Sequence, residues 1–253
     1  MQWLKVEIGF LNNRPKEELI KKLLTNLCSD NVEFALSEIK NKKPVGYYEH
    51  KEKGIMFLIG IHDYTVYKYG FRKDMWFLGI SVDPYYIRNY INIKENNLRN
   101  LNIIKEVVLR AIDGLDADIV YFDYENTLEP FFFPEATNKQ FLSSSMVLNK
   151  KLVDSIGRDK VLNAPAFEVR ELSDGSVFIQ IDEDMFSADP YKVAYLGVYL
   201  FGKESKIIFT YGCFSNRYIT LKEYVRHEGV KKGLMKIEEM YKQQKQKEKQ
   251  NEK

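Results

Sequence analysis

The sequence predicts an α+β protein, with a mixed, mostly antiparallel sheet and helices packed on it. Three observations carry this expectation. Residues 32–83 hold successive apolar, β-branched and aromatic runs, joined by connections too short for crossover helices, so neighbouring strands must run antiparallel. Residues 97–112 place Leu98, Leu101, Ile104, Val107, Val108 and Ile112 at helical spacing. Asp174-Gly175 between two apolar runs marks a hairpin.

The elements follow in order. QWLKVEIGF alternates as a half-buried strand does. Pro15 opens a helix over Lys16 to Ser29, with Leu19, Ile20, Leu23, Leu24 and Leu27 on its apolar stripe. VEFALSEIK, GYYEHK, GIMFLIGIHDYTVYKYG and MWFLGISVD read as strands of a meander, ended by Asp83-Pro84. The helix at 97–112 stops near Gly114, and Ile119 to Tyr124 form a strand whose exit is made irregular by Pro130 and Pro134. A third helix is expected over Asn138 to Ile156, closing at Gly157, with Ser143, Ser144 and Ser145 as small packing residues within it. AFEVRELSDGSVFIQI supplies the hairpin, residues 190–201 an almost wholly apolar helix, KIIFTYGCF a late strand, and the stretch after Thr220 a last helix. Residues 1–241 are expected to form one α+β domain, with two loosely similar halves, 1–113 and 114–241, as the alternative division. Residues 242–253 read as a polar, disordered tail.

At 253 residues, 45% hydrophobic and 29% charged, the chain has the composition of an ordinary globular protein. The opening residues lack the features of a signal peptide, and no apolar run reaches the length of a membrane span, which points to the cytoplasm and to no membrane partner. Cys28 and Cys213 fit neither a metal spacing nor a disulfide framework. The net charge of +2 is uneven: from Lys222 onward ten Lys or Arg face six Asp or Glu, so the body is mildly acidic. The lysines of the tail are interleaved with glutamates and carry no aromatic stacking platform, which argues against nucleic acid.

The residues give no pointer to catalysis. His50, His62 and His227 share no metal spacing, and there is no phosphate loop, nucleophile elbow or Cys/His signature. The expectation is therefore no enzyme, no metal and no cofactor. Acidity is the stronger signal. Asp113, Asp116, Asp118, Asp123, Glu125, Glu129 and Glu135 fall in a stretch that holds no Lys or Arg between Arg110 and Lys139, and Tyr121, Phe122 and Tyr124 sit among them. Only a loose imitation of a calcium loop is present, since the obligatory glycine is missing and part of the stretch is a strand. A second such stretch carries Glu171, Asp174, Asp182, Glu183, Asp184 and Asp189. Carboxylates around desolvated aromatics suit a basic protein partner, because charge raises the association rate and aromatic anchors slow release. Asp116, Asp118, Tyr121, Asp123, Glu125, Glu129, Asp182, Glu183 and Asp184 are the candidate contact residues. Acids that merely solvate loop ends remain the bland alternative.

Residues 146–186, MVLNKKLVDSIGRDKVLNAPAFEVRELSDGSVFIQIDEDMF, order a Leu-rich helix end, a short basic turn, Ala-Pro-Ala, a Glu-containing strand, Asp-Gly and an apolar strand running into acids. This region, within residues 97–201, resembles the bacterial immunity protein 52 family of polymorphic toxin systems. Ser176 stands where that pattern has a second glycine. The resemblance implies a cytoplasmic, nonenzymatic protein that binds and neutralises a cognate, nuclease-type toxin through an acidic, aromatic-bearing surface. A nonenzymatic adaptor or regulatory protein with a different basic partner, and an enzyme that works through clustered carboxylates, stay open as alternatives.

Overall fold

The computed structural model describes residues 4–11, 13–27, 32–43, 45–49, 55–62, 75–82, 94–124, 141–185, 188–205, 208–209 and 219–251. Strand β1 (Leu4–Leu11) leads into helix α1 (Lys16–Asn26), which buries Leu19, Ile20, Leu23 and Leu24 at the predicted spacing. VEFALSEIK, expected as a strand, is instead helix α2 (Val32–Lys40). Its buried residues Ala35, Leu36 and Ile39 share one helical face, so helical periodicity prevails over the β-branched content. Strands β2 (Val45–Glu49), β3 (Ile55–His62) and β4 (Met75–Val82) form the expected antiparallel meander. Helix α3 (Lys94–Ile112) and strand β5 (Ile119–Tyr124) follow. Three hydrogen bonds from two side chains tether the end of α3 to α1. Asn26 Nδ2 donates to the carbonyls of Ala111 and Asp113, and Lys22 Nζ to that of Gly114, so carbonyls left unpaired at a helix end are satisfied.

The helix expected over Asn138 to Ile156 divides, and residues 138–140 lie outside the described residues. Strands β6 (Phe141–Leu142) and β7 (Ser145–Leu148) precede helix α4 (Lys150–Ile156). Asn149 sets the boundary, because its side chain accepts the Leu152 N–H at 2.9 Å as an N-cap does. The serines, expected in a helix, sit at the β6–β7 junction: buried Ser145 donates to the Met185 carbonyl at 2.7 Å, and Ser143 donates to the Ser145 carbonyl. Helix α5 (Arg158–Leu162) then leads to the hairpin of β8 (Glu168–Glu171) and β9 (Val177–Gln180). Gly175 N–H reaches the Leu172 carbonyl with φ +80°, and Leu172 N–H reaches Ser176, the three-residue loop with a glycine bulge. Helix α6 (Pro190–Phe201) begins on the Asp189 side chain, which accepts the Tyr191 N–H. Short strands β10 (Ile208–Phe209) and β11 (Ile219–Thr220), helix α7 (Leu221–Tyr224) and helix α8 (Glu228–Asn251) complete the order. Residues 242–251, expected to be disordered, continue α8, with Lys242 paired to Glu238 one turn back.

Eight strands form one sheet in the order β2-β3-β4-β1-β5-β7-β9-β8, antiparallel at every step, and β11-β10-β6 form a small sheet with one parallel pair. The fold is α+β. Strand alternation sends Val6, Ile8, Phe122, Val147 and Phe178 into a core with α1, α2 and α3. It sends Met146, Leu148, Val177 and Ile179 into a second core with α4 to α8 on the opposite face. Strands β7 and β9 thus feed both cores, which is why they read as continuous apolar runs. Helix α6 presses closely on this second layer. A Cβ at Gly197 would stand 2.5 Å from Leu142 Cδ1 and 3.0 Å from Leu221 Cδ2, and one at Gly233 would stand 2.6 Å from Tyr191 Cδ1.

Tyr195 of α6 and Tyr241 of α8 stack with centroids 5.5 Å apart and rings 12° from parallel. Burial, helped by the Asp182 carboxylate, pushes the Tyr241 phenol from 10.0 up to about 12. A raised folded-state pKa contributes stability that is whole below the unfolded value and is lost as pH rises to the folded one. The melting temperature should therefore fall between pH 10.0 and about 12, and Tyr241→Phe should flatten that fall. An equally steep fall in the Phe variant would show that the packing of Tyr241 is not its cause.

Candidate partner-binding surface

The candidate acids divide between the two ends of the sheet. At one end the α3–β5 loop, the β1–α1 loop and the β8–β9 turn meet. Asp118 Oδ2 accepts the Leu11 N–H at 2.9 Å, and Asp116 Oδ2 accepts from Arg14 Nη1 at 3.1 Å. The Asp116 N–H donates to Asp174 Oδ2 at 3.1 Å, from a backbone with φ +48°, a conformation that Asp tolerates better than most residues. Asp113 accepts from the N–H and hydroxyl of Ser173, and Asp174 from those of Ser176. These carboxylates terminate turns and fasten three loops to one another.

The other end holds Asp123, Asp182, Glu183 and Asp184. Register fixes their proximity: Phe122 faces Ser145, Ser145 faces Gln180, and the Ile181 N–H donates to the Ser144 carbonyl. Asp123 therefore sits one residue beyond that row and Asp182 two, on strands two apart, about 10 Å at the usual strand spacing. From Asp118 to Asp123 the chain runs most of the length of β5, about 17 Å. Gln180 Nε2 donates to the carbonyls of Asp182 and Glu183, pinning the acidic turn to β9. Lys192 Nζ lies 2.9 Å from Asp182 Oδ1, while Glu183 is exposed. Lys5 stands opposite Asp123 in the β1–β5 register. Tyr121 lies within β5, in register with Glu7 and Met146. Glu125 and Glu129 lie outside the described residues, as do Cys28, His50 and Cys213.

Beside this end lies an ion network built around one buried lysine. Lys105 of α3 is 5% exposed, and its Nζ donates to Glu168 Oε2 at 2.5 Å and to Gln180 Oε1 at 3.4 Å. Arg170 takes Glu106 bidentately at 2.8 and 2.9 Å and donates through Nε to Glu168 Oε1 at 2.9 Å. The guanidinium holds the Glu106 carboxyl below its usual range and is itself raised by it. The signal was present: Lys105 occupies an apolar-face position between Leu101 and Val108. Phe167, just before β8 and at the same end, is 59% exposed, and nothing in its sequence context distinguishes it from a core aromatic.

Among the described residues no group of three His, Cys, Asp or Glu side chains converges as for a metal ion, and no helix is long and apolar enough to cross a membrane. No protein-family model matches the chain, and no curated protein matches it. Among solved structures the chain is similar to the Pseudomonas aeruginosa T6SS protein PA0821, at 12% identity and a TM-score of 0.44, over 94% of this chain and 82% of that one.

Proposed function

We propose that the protein is a nonenzymatic immunity protein, which binds and neutralises a basic, nuclease-type toxin domain at the end of the sheet bearing Asp123, Asp182, Glu183 and Asp184. The observation that supports this reading is the strand register, which gathers acids of two separate segments within about 10 Å, the range over which exposed charges still add at physiological salt. Asp116 and Asp118 serve the opposite end by holding its loops together, so one partner face uses the Asp123 end. The family resemblance of residues 146–186 supplies the class of partner.

The test is growth rescue followed by binding kinetics. The chain, co-produced with the toxin domain encoded beside it in its native host, should restore growth, and the purified pair should associate more slowly as salt is added. Asp123→Lys with Glu183→Lys should lower the association rate roughly tenfold or more, whereas Lys247→Ala should leave it alone. No rescue overturns the immunity reading. Rescue with an unchanged association rate and salt slope in the charge-reversed variant overturns the placement of the surface.

A further inference from the structure

β8 closes one edge of the eight-stranded sheet, and no described strand pairs with its outer side. In an antiparallel ladder, residues alternate between bonding inward and pointing their N–H and C=O outward. Leu172 bonds inward to Ser176, and Arg170 and Glu168 share its phase opposite Phe178 and Gln180. Val169 and Glu171 therefore present their backbone groups outward, and Phe167 shares their phase. Sheet edges of this kind are commonly blunted by charge. Here the charges are arranged so that the strand is its own complement.

We propose that β8 pairs antiparallel with β8 of a second copy of this chain, about a two-fold axis at Val169, joining two eight-stranded sheets into one. In that register Val169 meets Val169 through outward-pointing backbone groups, and Glu168 of each copy faces Arg170 of the other. Opposite charges directly across a strand pair stabilise it, and like charges oppose it. Sliding by two residues, the smallest slip that keeps the outward groups facing, sets Glu168 against Glu168 or Arg170 against Arg170. Both side chains are already held upright by Lys105 and Glu106, so little ordering is left to do. On the other face the exposed ring of Phe167 lies diagonal to Val169 of the second copy, within reach of an aromatic side chain. An edge of four residues makes a small contact, and small interfaces are weak. A concentration-dependent dimer is the expected form.

Sedimentation velocity over two decades of protein concentration should show one copy at the dilute end and two at the concentrated end. Val169→Pro removes an outward donor that proline tolerates on a strand edge, and the folded variant should sediment as one copy throughout. Amide hydrogen exchange on the unaltered chain gives an independent readout: the Val169 and Glu171 amides should slow as concentration rises. One copy at every concentration, a dimer that persists in folded Val169→Pro, or exchange at these amides that ignores concentration would each overturn the proposal.

Discussion

Glu168→Ala should lower the unfolding free energy by about 3–5 kcal/mol, the range seen when one partner of a buried ion pair is removed. The size follows from what is left behind. Lys105 Nζ keeps only Gln180 Oε1, 3.4 Å away, in a site that is 5% exposed, and Arg170 loses the acceptor of its Nε. Glu106→Ala is the matched comparison. Its carboxylate makes a better-shaped bidentate contact, yet it is exposed, so its removal should cost about 1 kcal/mol or less. Taking out both members of the pair, Lys105→Met with Glu168→Leu, should return most of the loss, because no uncompensated buried charge remains. Urea unfolding of the four proteins decides the matter. A Glu106 variant that is weaker than the Glu168 variant would mean that geometry outweighs burial here.

Gly197→Leu is expected to cost about 3 kcal/mol, at the upper end for overpacking. The single added Cβ would already lie 2.5 Å from Leu142 Cδ1, and that leucine and Leu221 are both fully buried against neighbours that cannot recede. Gly229→Ala is the control, in the first turn of α8 with no atom within 4 Å of the new Cβ. There helix propensity alone acts, and the change should stabilise by up to about 1 kcal/mol. Equal effects at the two positions would show that α6 can lift from the sheet without penalty.

The fold class, α1, the three-strand meander, β5, the hairpin and α6 were legible because each carries a local signal: a period, a capping residue or an Asp-Gly turn. Two segments misled for opposite reasons. VEFALSEIK carries β-forming residues at helical spacing, so its composition points to a strand while its period gives the helix that forms. Residues 145–148 are buried on both faces, so the two-residue alternation that identifies a strand is erased. The acids were legible as a population and not as a surface. Asp118 and Asp123 are five residues apart in sequence and at opposite ends of one strand in space, while Asp123 and Asp182 are brought close only by register across β7. Lys105 was visible as a charge on an apolar stripe, but its partners Glu168 and Gln180 come from strands that the sequence does not place beside α3.

The strand order also bears on how the protein is made. β1 lies at the middle of the sheet, between β4 and β5, and both partners follow it far along the chain. At ribosomal rates of 5–20 residues per second, on the order of ten seconds separate the emergence of β1 from that of β5. One hydrogen-bonding edge of β1 waits for β4 and the other for β5, and until both have emerged Val6, Ile8 and Phe10 lack their final cover. The nascent chain therefore passes through a window in which a holding chaperone has a clear target in a segment that ends up at the middle of the sheet.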